Sequence, residues 1–326
     1  MSISLLILTL TLAIDYASTQ TCNPITCVLP DCRCWDDPSI PGDIDLTDVP
    51  QMVMVTFENA LNEEFDQLYN SIFTVNNPNG CTPKGTIFIQ DLFTNYDLVR
   101  ALYDKGHEIG VNSLDGTIPA DDQEWKAVLE ELHTKLNNNG VKTKDVVGVR
   151  APDLFMGGTD EFIGMGNEGF LYDASCATSK FMQENNLLWP FTYDVIPKAE
   201  VKCDIGKSVD RAFPGLWQIL IPDLTFNGTI CATPQACTSV RTKRDAFDMF
   251  FDSFSKHYEG RRSPFVMVLN PAWVKDKDKR DGTIEFLEFI RAAFEDTWIV
   301  TSRQALQWVQ DPVPQSNITQ FQPWQC

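Results

Sequence analysis

The spacing of apolar positions along the chain switches repeatedly between two periods. Residues 52–56 (Met-Val-Met-Val-Thr) form an unbroken apolar run that reads as a buried strand, and residues 62–73 then follow helical spacing. The same alternation predicts a strand at 86–89, a helix over 96–104 ending near Gly106, and a strand at 107–111. Trp125, Val128, Leu129, Leu132 and Leu136 mark one face of a long helix that stops at Gly140. Strands at 146–149 and 170–172 flank a short helix around Phe162. Farther on come a strand at 216–221 and a helix carrying Phe247, Phe250, Phe251 and Phe254, capped by Gly260. A strand at 265–269, a helix at 284–294, a strand at 298–301 and a helix at 303–309 complete the pattern.

Strands separated by helices imply parallel pairing. Seven or eight such units predict an α/β fold, an irregular (β/α) barrel of seven to eight strands. No break in composition marks a second domain, and the irregular stretch 179–237 is expected to form long loops over one face. The Phe247 to Phe254 stripe reads as core, and the run Lys-Asp-Lys-Asp-Lys-Arg at 275–280 as a solvated loop. In barrels of this kind chemistry gathers at the C-terminal ends of the strands. That directs attention to residues 56–59, 112–113, 150–152, 216–217 and 269–270.

Composition narrows the setting. Residues 3–14 are a short apolar run followed by small and polar residues, which reads as a secretory signal peptide over 1–20. A Cys-rich segment is expected at 21–48, the barrel at 49–313 and a tail at 314–326. Ten cysteines follow the leader: Cys22, Cys27, Cys32, Cys34, Cys81, Cys176, Cys203, Cys231, Cys237 and Cys326. An even count in an oxidising compartment reads as up to five disulfides, and the uneven spacing of the first four, with no nearby His, argues against a zinc knuckle. The 45 acidic residues against 26 basic ones give a formal charge of −19, which disfavours nucleic acid and anionic membranes as partners. No later stretch is long and apolar enough to span a bilayer. Asn227 and Asn317 head Asn-x-Thr sequons and are glycosylation candidates.

The five strand-end segments are similar to the motifs of polysaccharide deacetylases of the NodB type, carbohydrate esterase family four, and within that group to arthropod-type chitin deacetylases. The similarity runs from about Cys22 to Pro312. It includes Cys27-Val-Leu-Pro-Asp-Cys32-Arg-Cys34, Asn79-Gly-Cys81, Gly106-His107-Glu108-Ile109-Gly110 and Val149-Arg150-Ala151-Pro152, and continues through Leu188-Trp189-Pro190-Phe191-Thr192, Phe213-Pro214-Gly215-Leu216-Trp217 and His257-Tyr258. The resemblance implies a NodB-type barrel and metal-assisted amide hydrolysis, in which zinc polarises the acetamide carbonyl and activates water. In that chemistry an Asp serves as base, a second Asp and two His hold the metal, and another His protonates the departing amine.

Residue by residue, this chain departs from the pattern at the reacting groups. Glu58 stands at the base position, one methylene longer than Asp, and Asn59 replaces the metal-binding Asp. Asn112 and Gly116 occupy the two imidazole positions, with Asp115 beside the second as the one conceivable substitute ligand. Asn270 replaces the general acid and cannot deliver a proton. The scaffold positions remain: Arg150 and Pro152 match the third motif, whose Arg pairs with the base carboxylate, and Trp217 matches the wall that seats the acetyl methyl. Trp189, Phe191, Trp217 and Trp273 are read as half core, half sugar platform.

His107, His133 and His257 are the only histidines, and no two have ligand spacing, so all three read as structural. A set of Asn, Asn and Gly does not compete for zinc, so no cofactor is expected unless the site is rebuilt from other groups. The expected protein is therefore secreted and chitin-deacetylase-like, inactive, and bound to chitin or a related N-acetylglucosamine polymer in an extracellular matrix or lining. Two alternatives stand beside it: an active metal-dependent deacetylase with substituted ligands, and a structural or protein-binding protein with a closed cleft.

Overall fold

A computed structural model describes residues 21–183, 185–197 and 201–326. The expected signal peptide lies outside the described residues. The strands are β1 (Gln51–Asn59), β2 (Thr86–Gln90), β3 (Glu108–Ser113), β4 (Gly148–Val149), β5 (Tyr172–Asp173), β6 (Ala177–Thr178), β7 (Phe191–Tyr193), β8 (Phe213–Gln218), β9 (Ile221–Pro222), β10 (Leu224–Phe226), β11 (Thr229–Cys231), β12 (Phe265–Leu269) and β13 (Thr297–Val300). The helices are α1 (Glu63–Asn70), α2 (Tyr96–Asp104), α3 (Asp122–Asn138), α4 (Thr159–Glu168), α5 (Lys243–Glu259), α6 (Pro271–Lys275), α7 (Lys277–Ala293) and α8 (Ser302–Gln310).

Nine strands form one sheet in the order β12-β1-β2-β3-β4-β5-β8-β7. All its pairings are parallel except that of β7 with β8. The ninth strand, β13, pairs with Gln51 to Met54 of β1, while β2 begins on β1 at Thr56. The hydrogen-bonded path is not closed between β12 and β7, so the α/β barrel is irregular and open along that seam.

Strand alternation sorts β1 between two apolar clusters. Val53, Val55 and Phe57 pack with the helices, alongside Trp125, Leu129, Phe250 and Phe286. Met52 and Met54 join Phe88, Tyr172, Trp217, Trp298 and Trp308 on the inner face. Thr56 and Glu58 share that inner parity, so one strand carries both into the barrel interior near its C-terminal mouth. Val111 of β3 packs on the helical side, which turns Asn112 inward by the same rule.

Caps fix the helix starts. Asp121 accepts from the N–H groups of Gln123 and Glu124 at the head of α3, and capping boxes at Thr242/Asp245 and Thr301/Gln304 open α5 and α8. The run at 275–280, expected as a loop, is instead the end of α6 and the opening of α7. Asp276 caps α7 by accepting from Asp278 and Lys279, and Lys277 pairs with Asp281 one turn on. The expectation weighed charge density and overlooked that Asp-x-x-x spacing is also an N-cap signal.

All ten cysteines are paired: Cys22–Cys34, Cys27–Cys32, Cys81–Cys326, Cys176–Cys203 and Cys231–Cys237. The segment beyond residue 313 is held down by Cys326 and by Trp324, which packs on Trp298 with ring centroids 5.3 Å apart. Among the described residues no helix is long and apolar enough to cross a membrane.

Candidate functional site

Parallel pairing sets the ends of β1, β3, β4, β8 and β12 at one mouth of the sheet. Register places Phe57 beside Leu269, Asn59 beside Ile89, and Val111 beside Val149. Glu58, Asn112, Arg150 and Asn270 therefore gather there, each within a residue of those pairs.

Arg150 is fully buried and organises the floor. Its Nη1 donates to the Thr56 hydroxyl at 2.7 Å and its Nε to the Ala174 carbonyl at 2.9 Å. The Thr56 hydroxyl passes the bond on to the Met267 carbonyl at 2.8 Å, tying β4, β1 and β12 together. The guanidinium carbon also lies 4.3 Å from the centroid of the Phe88 ring.

The expected ion pair between Glu58 and Arg150 does not form: Nη1 and Nε of the guanidinium are turned to Thr56 and Ala174, and its face to Phe88. Glu58 Oε2 and Arg150 Nη2 are both buried without a hydrogen-bond partner among the described residues. Burial pushes the Glu58 carboxyl above its usual range, nearby Arg150 opposes that rise, and Asp153 adds to it. Burial likewise pulls Arg150 down, against the charges of Glu58, Tyr172 and Asp173. A buried donor and a buried acceptor of opposite charge thus stand close, each unsatisfied.

The positions expected for metal ligands are occupied by structural amides and backbone. Asn112 donates to the Arg150 carbonyl at 2.9 Å and accepts from the Ser113 hydroxyl at 2.8 Å, so both ends of its amide are engaged. Gly116 sits at φ +92° and its N–H donates to the same Ser113 hydroxyl at 3.0 Å. Asn59 is exposed at φ +102°. Asp115 is also exposed and accepts from the Thr117 N–H at 2.9 Å, which holds its carboxylate on its own turn and depresses its pKa. Neutral amides and a glycine do not match the anionic and imidazole donor set that catalytic zinc requires. Among the described residues, the only close group of three or more His, Cys, Asp or Glu ligand atoms is Cys22, Cys27 and Cys34, all in disulfides.

Asn270 has a different task. Its Oδ1 accepts from the Trp273 N–H at 3.0 Å, capping α6 just ahead of Pro271. Trp273 is fully buried and its indole donates to Thr283 at 2.9 Å. Trp189 stacks on Trp308 with centroids 5.6 Å apart, and Trp217 is 1% exposed in the inner cluster. Pro152 is buried at the start of a short turn. None of these three indoles turns an open face to solvent, so the half-platform expectation resolves to core. The three histidines lie away from the mouth: His107 accepts from the Gly85 N–H, His133 contacts the Val146 carbonyl, and His257 contacts the Ser263 carbonyl. Burial lowers His107 and His257 to about 4.

Sequence reasoning missed a second buried group at this end. Asp173 and Glu161 are both fully buried, they interact electrostatically, and burial raises both. Asp173 accepts from Gln218 at 2.6 Å and from the Ser175 N–H at 2.9 Å, while Glu161 accepts from the Gly157 N–H at 2.7 Å. Two buried carboxyl groups that interact disfavour ionising together. The missed signal was the strand-end position of Asp173; Glu161 gave none.

Compared with known proteins, the chain is 31% identical over 328 residues to chitin deacetylase 1 of Bombyx mori, covering 93% of this chain. It spans 59% of that relative's length. Chitin deacetylase 8 of Bombyx mori is 28% identical over 336 residues, with 99% of this chain and 86% of that protein covered. Among solved structures, a Mycobacterium smegmatis protein described as a polysaccharide deacetylase shares the fold at a TM-score of 0.55 and 15% identity, covering 84% of this chain and 94% of that one. No family model matches the chain.

Proposed function

The chain is a relative of the chitin deacetylases with the fold of the polysaccharide deacetylases, and from that premise we propose that it binds chitin or a related N-acetylglucosamine polymer without hydrolysing it. The observation that carries this reading is the asymmetry of the mouth. The former ligand and acid positions at Asn112 and Asn270 are spent on structural hydrogen bonds. Glu58 and Arg150, at the base position and its partner, keep one unsatisfied buried atom each.

A neutral sugar suits that pair. Its hydroxyl or acetamide offers a donor and an acceptor together without bringing a charge, and because both orphaned atoms are buried, reaching them requires the mouth to open around the sugar. Hydrolysis, by contrast, needs an activated water and a proton donor. Asn270 does not titrate, and among the described residues no metal donor set surrounds the site. Five disulfides and the strongly acidic composition support a secreted, extracellular setting such as a matrix or lining.

The test is retention on chitin beads together with acetate release from N-acetylglucosamine oligomers, using protein expressed by secretion. Retention above an albumin control with no acetate is expected. Acetate release abolished by Glu58→Ala would establish an active deacetylase instead, and absence of both retention and release would leave a structural role.

A further inference from the structure

Phe93 is the most anomalous side chain at the mouth. Its ring is 78% exposed, yet its backbone is held at φ +70°, a left-handed conformation that bulky residues rarely adopt. Mobility does not account for this, because the surrounding loop is clamped from both sides. Leu61 N–H donates to the Thr94 hydroxyl at 2.9 Å and Asn95 N–H to the Leu61 carbonyl at 2.7 Å, joining the loop to the exit of β1. On the other side Asp91 N–H reaches the Ser113 carbonyl at 2.9 Å and Leu92 N–H the Leu114 carbonyl at 2.7 Å, joining it to the exit of β3. Asp91 is further held by Tyr96 at 2.7 Å and by Lys135 at 2.6 Å.

The two clamped exits are those that carry Asn59 and the stretch from Asn112 to Gly116. The side-chain oxygen of Gln90, at the root of this loop, lies 3.5 Å from where a Cβ on Gly116 would sit. Phe93 therefore stands on the rim between the exits of β1 and β3, which carry the former ligand positions. Packing supplies no reason for an aromatic there, and glycine would relieve the backbone. Strain kept in a rigid loop at a site mouth points to the side chain being the purpose.

Resting on the glycan-binding reading, we propose that Phe93 is the platform on which a pyranose ring of the bound polymer stacks. The apolar face of an N-acetylglucosamine unit covers an aromatic ring without needing charge or a polar handle. The rigid loop means that little conformational freedom is lost on binding.

Isothermal titration of Phe93→Gly, Phe93→Trp and the unmodified protein with the N-acetylglucosamine hexamer tests this, with Tm measured for each. Phe93→Gly is expected to hold or raise Tm while affinity falls at least about fivefold. Phe93→Trp should keep the affinity, and its indole emission should change on adding the hexamer. Unmodified protein that binds while Phe93→Gly binds equally well overturns the platform and leaves the glycan reading intact. Loss of affinity in Phe93→Trp as well would make the position structural and also overturn it. Unmodified protein that does not bind removes the glycan reading and this inference with it.

Discussion

The Arg150 guanidinium donates to the Thr56 hydroxyl at 2.7 Å and makes no ion pair with Glu58, although both are buried at the same mouth. The arginine thereby fastens β4 to β1 while the carboxylate stands free of any direct partner. Truncating Arg150 to Met strands the Thr56 and Ala174 oxygens and leaves Glu58 without its nearest positive charge, at a cost of about 3–5 kcal/mol. Adding Glu58→Gln should recover part of that loss, a coupling that urea denaturation of both single variants and the double variant would measure.

Glu58→Gln alone should raise stability at neutral pH. Burial lifts the Glu58 carboxyl in the folded state, so its contribution is most favourable below the unfolded value and is lost as pH rises through the folded one. The gain from the amide should therefore appear at neutral pH and shrink below about pH 4, near the model-peptide value for Glu. Denaturation midpoints at pH 3.5 and 7.5 check this; an equal gain at both values contradicts it.

The Glu161–Asp173 pair follows the same sign, since burial raises both carboxyl groups and the charge of Asp173 raises Glu161 further. Glu161→Gln can still accept from the Gly157 N–H and removes one of the two buried carboxyl groups, placing a neutral amide near Asp173. Tm should rise at pH 8, and the fall in stability between pH 5 and 8 should flatten. A steeper fall would show that the pair is ionised together in the folded protein.

Rebuilding the metal site should be possible but costly. The triple variant Asn59→Asp, Asn112→His, Gly116→His restores the donor set. It also breaks the Asn112 bonds to Arg150 and Ser113 and places His at φ +92°, a strained position for a side chain. Zinc uptake measured by elemental mass spectrometry should approach one per chain in the triple variant, accompanied by a Tm several degrees lower. Asn270→His should lower Tm further through loss of the α6 cap, worth about 1 kcal/mol.

Much of this was legible in the sequence. The helix over Tyr96–Asp104 was readable at both ends, and Asn59, Asn112, Gly116 and Asn270 were set against the family motifs by position alone. What escaped reading depends on non-local geometry. The Arg150–Thr56 bond joins residues 94 positions apart and replaces the expected pairing with Glu58. The placement of β13 beside the first half of β1 leaves no periodic trace. The exposure of Phe93 is set by loops converging from two other strands. One miss was avoidable, because Asn270 followed by Pro271 is a helix-start signal that gives the amide its structural task.

Native mass spectrometry of the secreted protein mixed with the fully acetylated N-acetylglucosamine hexamer reads binding, metal and product together. The predicted spectrum shows a zinc-free chain in complex with the hexamer, every acetyl group retained. A deacetylated hexamer, or a chain carrying zinc, would contradict the account, as would the absence of any complex.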